Sequence, residues 1–484
     1  MNMKYGYNPI MGMDLPDPDI IFVDGVFYMI NTTMHFFPGG EILRSYNLVD
    51  WEHASYVFDE LDGTDAQRLN GKENIYGKGM WAGSLRFNKG MFYLVFSCND
   101  THKTYIYRSP AIDGKWVRND IEGWYYDPSL FFDDDGKIYM AHGHKQVYIT
   151  ELNSKITGPQ AGGLNRLILD DKDNPVLGYE GSHLYKIAGR YYLFNIHSEK
   201  SRWHRVESLF TADDLNGEFV GGDILNQDLS DRGDGLAQGG IVEGPEGVWH
   251  GFMFRDNGAV GRIPVITEAK FTDKGLVMHA QECFETPDLK PGYPYEPLVR
   301  SDDFRSDKLE TCWTFNHMPD LSLVSWGDGS LKIKTDKICE DLCEAKNTLT
   351  QRMRLPNCAA EVTIDGSSLN PGDTAGLCAL QGSYVYIGLK RTVNGFLIVT
   401  GTKDGVIETK EAETDKIRVR LEGSFGNEDR ADCYIKNGEE KIPFGKEHEL
   451  KFTLDHFTGA RFGLFTFSED KVGGTGIFRD FIYE

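Results

Sequence analysis

Three carboxylates stand at matching places in short, similar stretches of this chain: Asp17 in "LPDPDIIFVDGVFYMIN", Asp127 in "DPSLFFDDDGKIYMAH" and Glu180 in "EGSHLYKIAGRYYLFN". Taken singly each is ordinary, since Asp-Pro starts turns and a Glu before Gly usually sits on the surface. Their shared setting suggests chemistry. Each is followed at once by Pro or Gly and then by an apolar run too short for a helix, so each stands at the start of a buried strand. Like charges gathered in one apolar place separate their proton affinities, so that one acid stays protonated while another is ionised. Hydrolysis of a glycosidic bond needs that division: one carboxylic acid protonates the leaving oxygen and one carboxylate activates water. A calcium site is the competing use, but it wants more oxygen ligands than this set supplies.

The elements that must position these acids repeat along the chain. The stretches above have two further relatives, "AGSLRFNKGMFYLVF" from Ala82 and "QGGIVEGPEGVWHGFMF" from Gln238. In all five a first residue is followed by Pro or Gly, an apolar strand, a turn ending in Gly and a second strand rich in aromatics. The turn glycines Gly25, Gly90, Gly136, Gly189 and Gly247 fall eight or nine places after the first residues of their copies. Each copy therefore reads as a β-hairpin, and the spacing between copies leaves room for two more strands, which is the period of a propeller blade. In a five-bladed propeller the first strands line the central channel, so Asp17, Ala82, Asp127, Glu180 and Gln238 converge at one end of the axis. The prolines around Asp17 stiffen a strand start that aims its carboxylate inward.

A second domain follows. Pro287, Pro291, Pro294 and Pro297 in "TPDLKPGYPYEP" read as a stiff extended linker over 286–300, after a propeller of residues 1–285. Beyond it, "LSLVSWGDGSLKIKT", "AAEVTIDG", "YVYIGLKRTVNGFLIVTG" and "ARFGLFTFSE" alternate apolar and polar residues between Gly turns, as a β-sandwich over 301–484 requires. The fold class is thus all-β: a five-bladed propeller, then a sandwich. A formal net charge of -23 without a Lys/Arg cluster excludes a nucleic-acid or anionic-membrane surface and points to a neutral or cationic partner. No apolar run is long enough to span a bilayer, and the start "MNMKYGYNPIMGMDLPDPD" has no signal-peptide pattern, so a cytoplasmic location is expected. The eight cysteines are scattered without metal-ligand spacing and are expected to be reduced, mostly buried thiols.

The pieces "NPIMGMDLPDPDI", "FFPGGEILRSYNLVDWE", "WAGSLRFNKGMFYLVF", "YYDPSLFFDDDGKIYMAHG", "EGSHLYKIAGRYYLF" and "DNGAVGRIPV" together resemble glycoside hydrolase family 43, five-bladed propellers that remove xylose or arabinose from plant cell-wall polysaccharides. The resemblance implies that Asp17 is the general base, Glu180 the general acid, and Asp127 the residue that raises the acid's pKa and holds it in place. It further implies that Phe37 and Trp81 face the sugar, that Arg262 reaches the site, and that Gln238 lines the fifth blade's contribution to it. "DDFRSDKLETCWTFNHMPD", "KNTLTQRM" and "AGLCALQGSYVYIGL" resemble the concanavalin-like C-terminal sandwich of β-xylosidases in that family, which packs on the propeller and can lend a loop to the rim of the site.

Departures from the pattern matter too. Some members place a His at the start of the fifth blade, where it helps hold a hydrated calcium; "LAQGG" has Ala237 and Gln238 instead, so no cofactor is expected and a structural calcium is left in doubt. "WAGS" replaces the family's Trp-Ala-Pro-Ser, and Met34 stands where some xylosidases carry Phe. The function expected is an exo-acting, inverting release of terminal α-L-arabinofuranose or β-D-xylose from small oligosaccharides, with self-association left open. Two alternatives are a fructan-type five-bladed hydrolase, whose Arg-Asp-Pro triplet is missing here, and a non-catalytic sugar-binding propeller, which has no reason to keep all three acids.

Overall fold

A computed structural model describes residues 2–229 and 232–484. Five four-stranded antiparallel sheets follow one another along the chain, beginning with strands Asp19–Val23, Met80–Asn88, Ser129–Phe132, Glu180–Ile187 and Leu236–Glu243. These are blades I to V, and their first strands are mutual neighbours around the channel. Each hairpin turns at the glycine expected, as Gly25 (φ 79°), Gly90 (φ 77°) and Gly189 (φ 82°) illustrate with backbone angles that a side chain disfavours. Alternation then sends one face of each blade to its neighbours. Leu94, Phe96 and Tyr105 of blade II are completely buried, for example.

Polar bonds between blades set the register around the ring. Asp19 Oδ2 accepts from Leu85 N, Ser84 Oγ from Leu130 N, and Ser129 Oγ from Leu184 N. Two residues before Asp19, Ser84 and Ser129 stand Asp17, Ala82 and Asp127, as the repeat requires. In blade IV the equivalent position is Gly181 rather than Glu180, a correction of one residue. Left-handed backbone angles agree: Asp17 (φ 52°), Asp127 (φ 44°), Gly181 (φ 63°) and Gln238 (φ 58°) share them. A bulge lies between Glu180 and His183, as it does between Met80 and Gly83 and between Ala237 and Gly240.

The C-terminal region is a sandwich of two large sheets around one core containing Trp313, Leu331, Val362, Leu377, Val419 and Phe462. The domain boundary is less clean than the sequence implied. Phe36–Phe37, from the loop inside blade I, joins the edge of a sandwich sheet by pairing with Thr314–Asn316. Residues Asn2–Tyr7 pair with Cys283–Asp288 outside any blade. The proline-rich connection is pinned to blade I: Tyr293 donates to Glu52 Oε1 (2.7 Å), Tyr46 N donates to Tyr295 Oη (2.8 Å), and the Lys290 ammonium lies 3.7 Å from the Tyr46 ring centre. The sandwich core continues into blade V through Ala259, Val260 and Ile263. All eight cysteines are free thiols and six of them are buried. Among the described residues no helix is long and apolar enough to cross a membrane.

Candidate active site

The left-handed backbone before the first strands of blades I and III turns the two aspartates into the channel mouth. Asp tolerates this conformation better than most residues, and such strain tends to gather at functional sites. Asp17 is 6% exposed and receives two bonds: Thr32 Oγ1 donates to Oδ2 at 2.6 Å and Arg262 Nη1 donates to Oδ1 at 2.7 Å. Both are donated, so they orient the carboxylate as an acceptor. Asp127 accepts from Gly181 N at 3.1 Å. Burial pushes its carboxyl well above the ordinary range, and the nearby Glu180 and Asp17 charges push it further. Glu180 is less enclosed. His144 Nδ1 lies 2.6 Å from its Oε2, and the Tyr126 hydroxyl also bonds to it. Burial raises the Tyr126 phenol, with further contributions from Asp127 and Glu180, so Tyr126 stands as a neutral donor.

The three acids named from the sequence are therefore brought together, each in a different setting. Trp81 joins them: half-buried, it donates from Nε1 to Gly77 O (3.2 Å) and meets Tyr126 edge to face at 5.6 Å between ring centres. Arg262 does reach the site, sandwiched between the rings of Phe457 (4.1 Å) and Phe254 (4.9 Å). Gln238 packs against Gly181, where an added Cβ would meet its Cγ at 2.7 Å, and its backbone N donates to the buried Glu207 (2.8 Å).

Phe37 is a correction. It is 1% exposed and lies in the core shared by blades I and II, 6.0 Å from the Phe58 ring, because its backbone pairing with the sandwich turns the ring inward. It has no surface to offer a sugar. Met34 is likewise buried, its main chain exchanging two 3.0 Å bonds with Met80, so it forms no open pocket wall.

Several contributors escaped the sequence reading. Tyr126 immediately precedes Asp127, and His144 ends the second strand of blade III; the strand period would have returned that strand end to the channel mouth. Asp19 was the second acid of the same Pro-Asp-Pro-Asp stretch. It faces down the channel, where Arg86 Nη1 donates to it and Arg86 Nη2 donates to Ser129 Oγ (3.1 Å). His183 Nε2 lies 3.7 Å from Asp19 Oδ1. A guanidinium thus already neutralises the acid that a channel metal would use. Among the described residues no group of three or more His, Cys, Asp or Glu is arranged to hold a metal. Phe457 had no local signal at all, since it comes from the sandwich. Its loop is seated by Gly459, whose N donates to Asp14 Oδ2 (2.9 Å) while Asp14 Oδ1 accepts from Arg262 N (2.8 Å). A side chain at Gly459 would meet Val260 O at 2.2 Å, so the approach demands glycine.

Comparison with known proteins agrees with this architecture. The family model for glycosyl hydrolases family 43 matches residues 7–277, and that for the beta xylosidase C-terminal concanavalin A-like domain matches residues 301–484. A "Beta-xylosidase" of Formosa agariphila is 24% identical over 96% of this chain and 88% of its own length. A "Non-reducing end alpha-L-arabinofuranosidase" of Bacteroides ovatus is 24% identical over 76% of this chain and 72% of its own. Among solved structures, a "Bifunctional GH43-CE" protein of Bacteroides eggerthii superposes with a TM-score of 0.93 at 34% identity, covering all of this chain, which spans 64% of that longer one. With a propeller that presents three carboxyls at one channel mouth and a concanavalin-like domain docked against it, the chain belongs to the glycosyl hydrolases of family 43 and is a glycosidase.

Proposed function

We propose that the enzyme releases terminal α-L-arabinofuranose and β-D-xylose from arabinoxylan- or xylan-derived oligosaccharides, one sugar at a time and with inversion. The observation that carries this reading is the unequal setting of the three acids. Asp17, oriented by Thr32 and Arg262, takes a proton from a water whose oxygen bonds to the anomeric carbon. Glu180, beside His144 and Tyr126, gives its proton to the glycosidic oxygen as the C–O bond breaks. Asp127, whose own carboxyl is pushed up by burial and by the Glu180 and Asp17 charges, accepts from Gly181 N and so fixes the backbone beside the acid. Asp17 and Asp127 line, with Asp19 and His183, a cavity of only about 10 Å³ in the channel, which has no room for a sugar chain to thread through and favours a substrate that enters by its end. Relatives named for xylosidase and arabinofuranosidase activity support the pentose assignment.

Dual activity is expected, with the arabinofuranoside slightly favoured because the fifth-blade stretch "QGGIVEGPEGVWHGFMFRDNGAVGRIP" resembles the arabinofuranosidase branch while the C-terminal domain resembles that of xylosidases. One pocket contact changes discrimination by only about 1 to 3 kcal/mol. The test is kcat/KM on nitrophenyl β-D-xyloside, α-L-arabinofuranoside and β-D-galactoside, with early proton NMR of the released sugar. Inverted pentose supports the proposal. Retention refutes the mechanism, and galactoside as best substrate, or no turnover on any of the three, refutes the pentosidase reading.

A further inference from the structure

The ribbon formed by Asn2–Tyr7 and Cys283–Asp288 lies outside the blades, and no third strand joins its sheet. Asn2–Tyr7 is therefore paired on one side only, and the register tells which of its backbone groups are used. One step beyond the Tyr7–Cys283 pair, Asn8 N donates to Glu282 O (2.8 Å). Antiparallel bonding alternates along a strand, so Asn2, Lys4 and Gly6 continue that bonded series toward Cys283–Asp288. The N–H and C=O groups of Met3, Tyr5 and Tyr7 then point to the open side. Among the described residues no backbone carbonyl accepts from these three amides.

A row of free donors and acceptors is a template for another strand, and most exposed edges carry an outward charge, a proline or a bulge that prevents such pairing. Asn2–Tyr7 has none of these. Its register with Cys283–Asp288 is unbroken, it contains no proline, and its one charged side chain, Lys4, is ion-paired with Asp50 (2.9 Å). The side chains at the open side are large and exposed instead: Met3 at 48%, Tyr5 at 61% and Tyr7 at 70%. Tyr5 is further steadied by a bond from its hydroxyl to Glu285 on the paired strand. On a chain of formal charge -23, a strip whose own residues carry no unpaired charge is where two copies approach with least repulsion.

We propose that Asn2–Tyr7 pairs antiparallel with the same strand of a second copy, joining two ribbons into one four-stranded sheet about a two-fold axis at Tyr5. The strand is complementary to itself. With Tyr5 opposite the second copy's Tyr5, Met3 lies opposite the second copy's Tyr7, and each of the three residues both gives an N–H and receives one. Thioether and ring then meet across the strands, and the two Tyr5 rings adjoin. A ribbon of two strands, the smallest sheet there is, becomes one of four. A contact of this kind buries less than about 1,200 Å², so the association is weak and depends on concentration.

Sedimentation of the full chain from about 1 to 200 μM tests this. The mass should rise from that of one chain toward twice that value, and salt should shift the rise to lower concentration by screening the net charge. Tyr5→Pro removes an N–H on the open side and leaves the bonds to Cys283–Asp288 in place. It should hold the protein as a monomer over the whole range, with unchanged melting temperature and kcat/KM. Register is read by cross-linking. Opposed residues of a bonded antiparallel pair have Cα atoms about 5.5 Å apart, a distance a disulfide spans. Under mild oxidation Tyr5→Cys should therefore give a linked dimer, whereas Lys4→Cys, on the other face, should show no more than the parent. A constant single-chain mass up to about 200 μM, a dimer that persists in Tyr5→Pro, or equal linking of the two cysteine variants would overturn the proposal.

Discussion

Replacing Glu41 by Gln tests how the sandwich domain holds the catalytic blade. Glu41, on the third strand of blade I, is fully buried and takes two bonds from Arg352 of the sandwich, Nη1 at 2.9 Å and Nη2 at 2.5 Å. Burial pushes its carboxyl up, but Arg352 and His53 outweigh burial and bring it from 4.5 to about 2. A depression of that size corresponds to roughly 3 kcal/mol of stability, in the range of about 3 to 5 kcal/mol for breaking a buried pair from one side. Gln keeps the shape and leaves the guanidinium without its counter-charge. For an unfolding unit between the propeller and the whole 484-residue chain, the melting temperature at pH 7 should fall by roughly 3 to 5 °C.

The sign of the pH dependence follows from a depressed folded-state pKa. The contribution is complete above about pH 5 and is lost as pH falls from 4.5 toward 2, so by pH 3 less than half of it should remain. The gap between parent and variant should shrink to match, because a protonated Glu41 resembles Gln. Calorimetric melts of both proteins from pH 7 to pH 3 provide the measurement. A shift smaller than about 2 °C at pH 7, or a gap that stays constant down to pH 3, would refute the reasoning. Arg352 Nε also donates to Asp14 O (2.7 Å), and Asp14 anchors Arg262 N, so the variant should also lose activity through Asp17.

Asp17→Asn should lower kcat by about 10²- to 10⁴-fold, the usual contribution of a positioned base, with an unchanged melting temperature; near-normal turnover would remove Asp17 from the mechanism. Glu180→Gln should abolish oligosaccharide cleavage yet spare a pentosyl fluoride, whose leaving group needs no proton, and equal loss on both would argue against its role as acid. Asp127→Asn removes a carboxyl that shares one buried place with Glu180 and Asp17, so activity should fall and a limb of the kcat/KM pH profile should shift, and an unmoved profile would show that Asp127 acts through geometry alone.

The sequence by itself determined the blade count, because Pro or Gly, apolar strand, Gly turn and aromatic strand recur as a local pattern that each hairpin must satisfy on its own. Asp17 and Asp127 were legible as well, since each stands immediately before a Pro and a short apolar run at the matched place in its copy. Glu180 was found at a register one residue off, because the spacing from the strand start to the turn glycine varies between eight and nine residues among the copies, so the glycine alone does not fix which residue begins the strand. Tertiary structure alone decided the rest. Phe37 looked like a sugar-facing aromatic until its backbone was seen pairing with a sandwich strand almost three hundred residues away, which turns its ring into the core. Arg262 is held by Phe457 and, through Asp14, by Gly459, contacts that depend on how two domains dock. Local patterns record what one hairpin needs; a site built where blades and a second domain meet is recorded only in their packing.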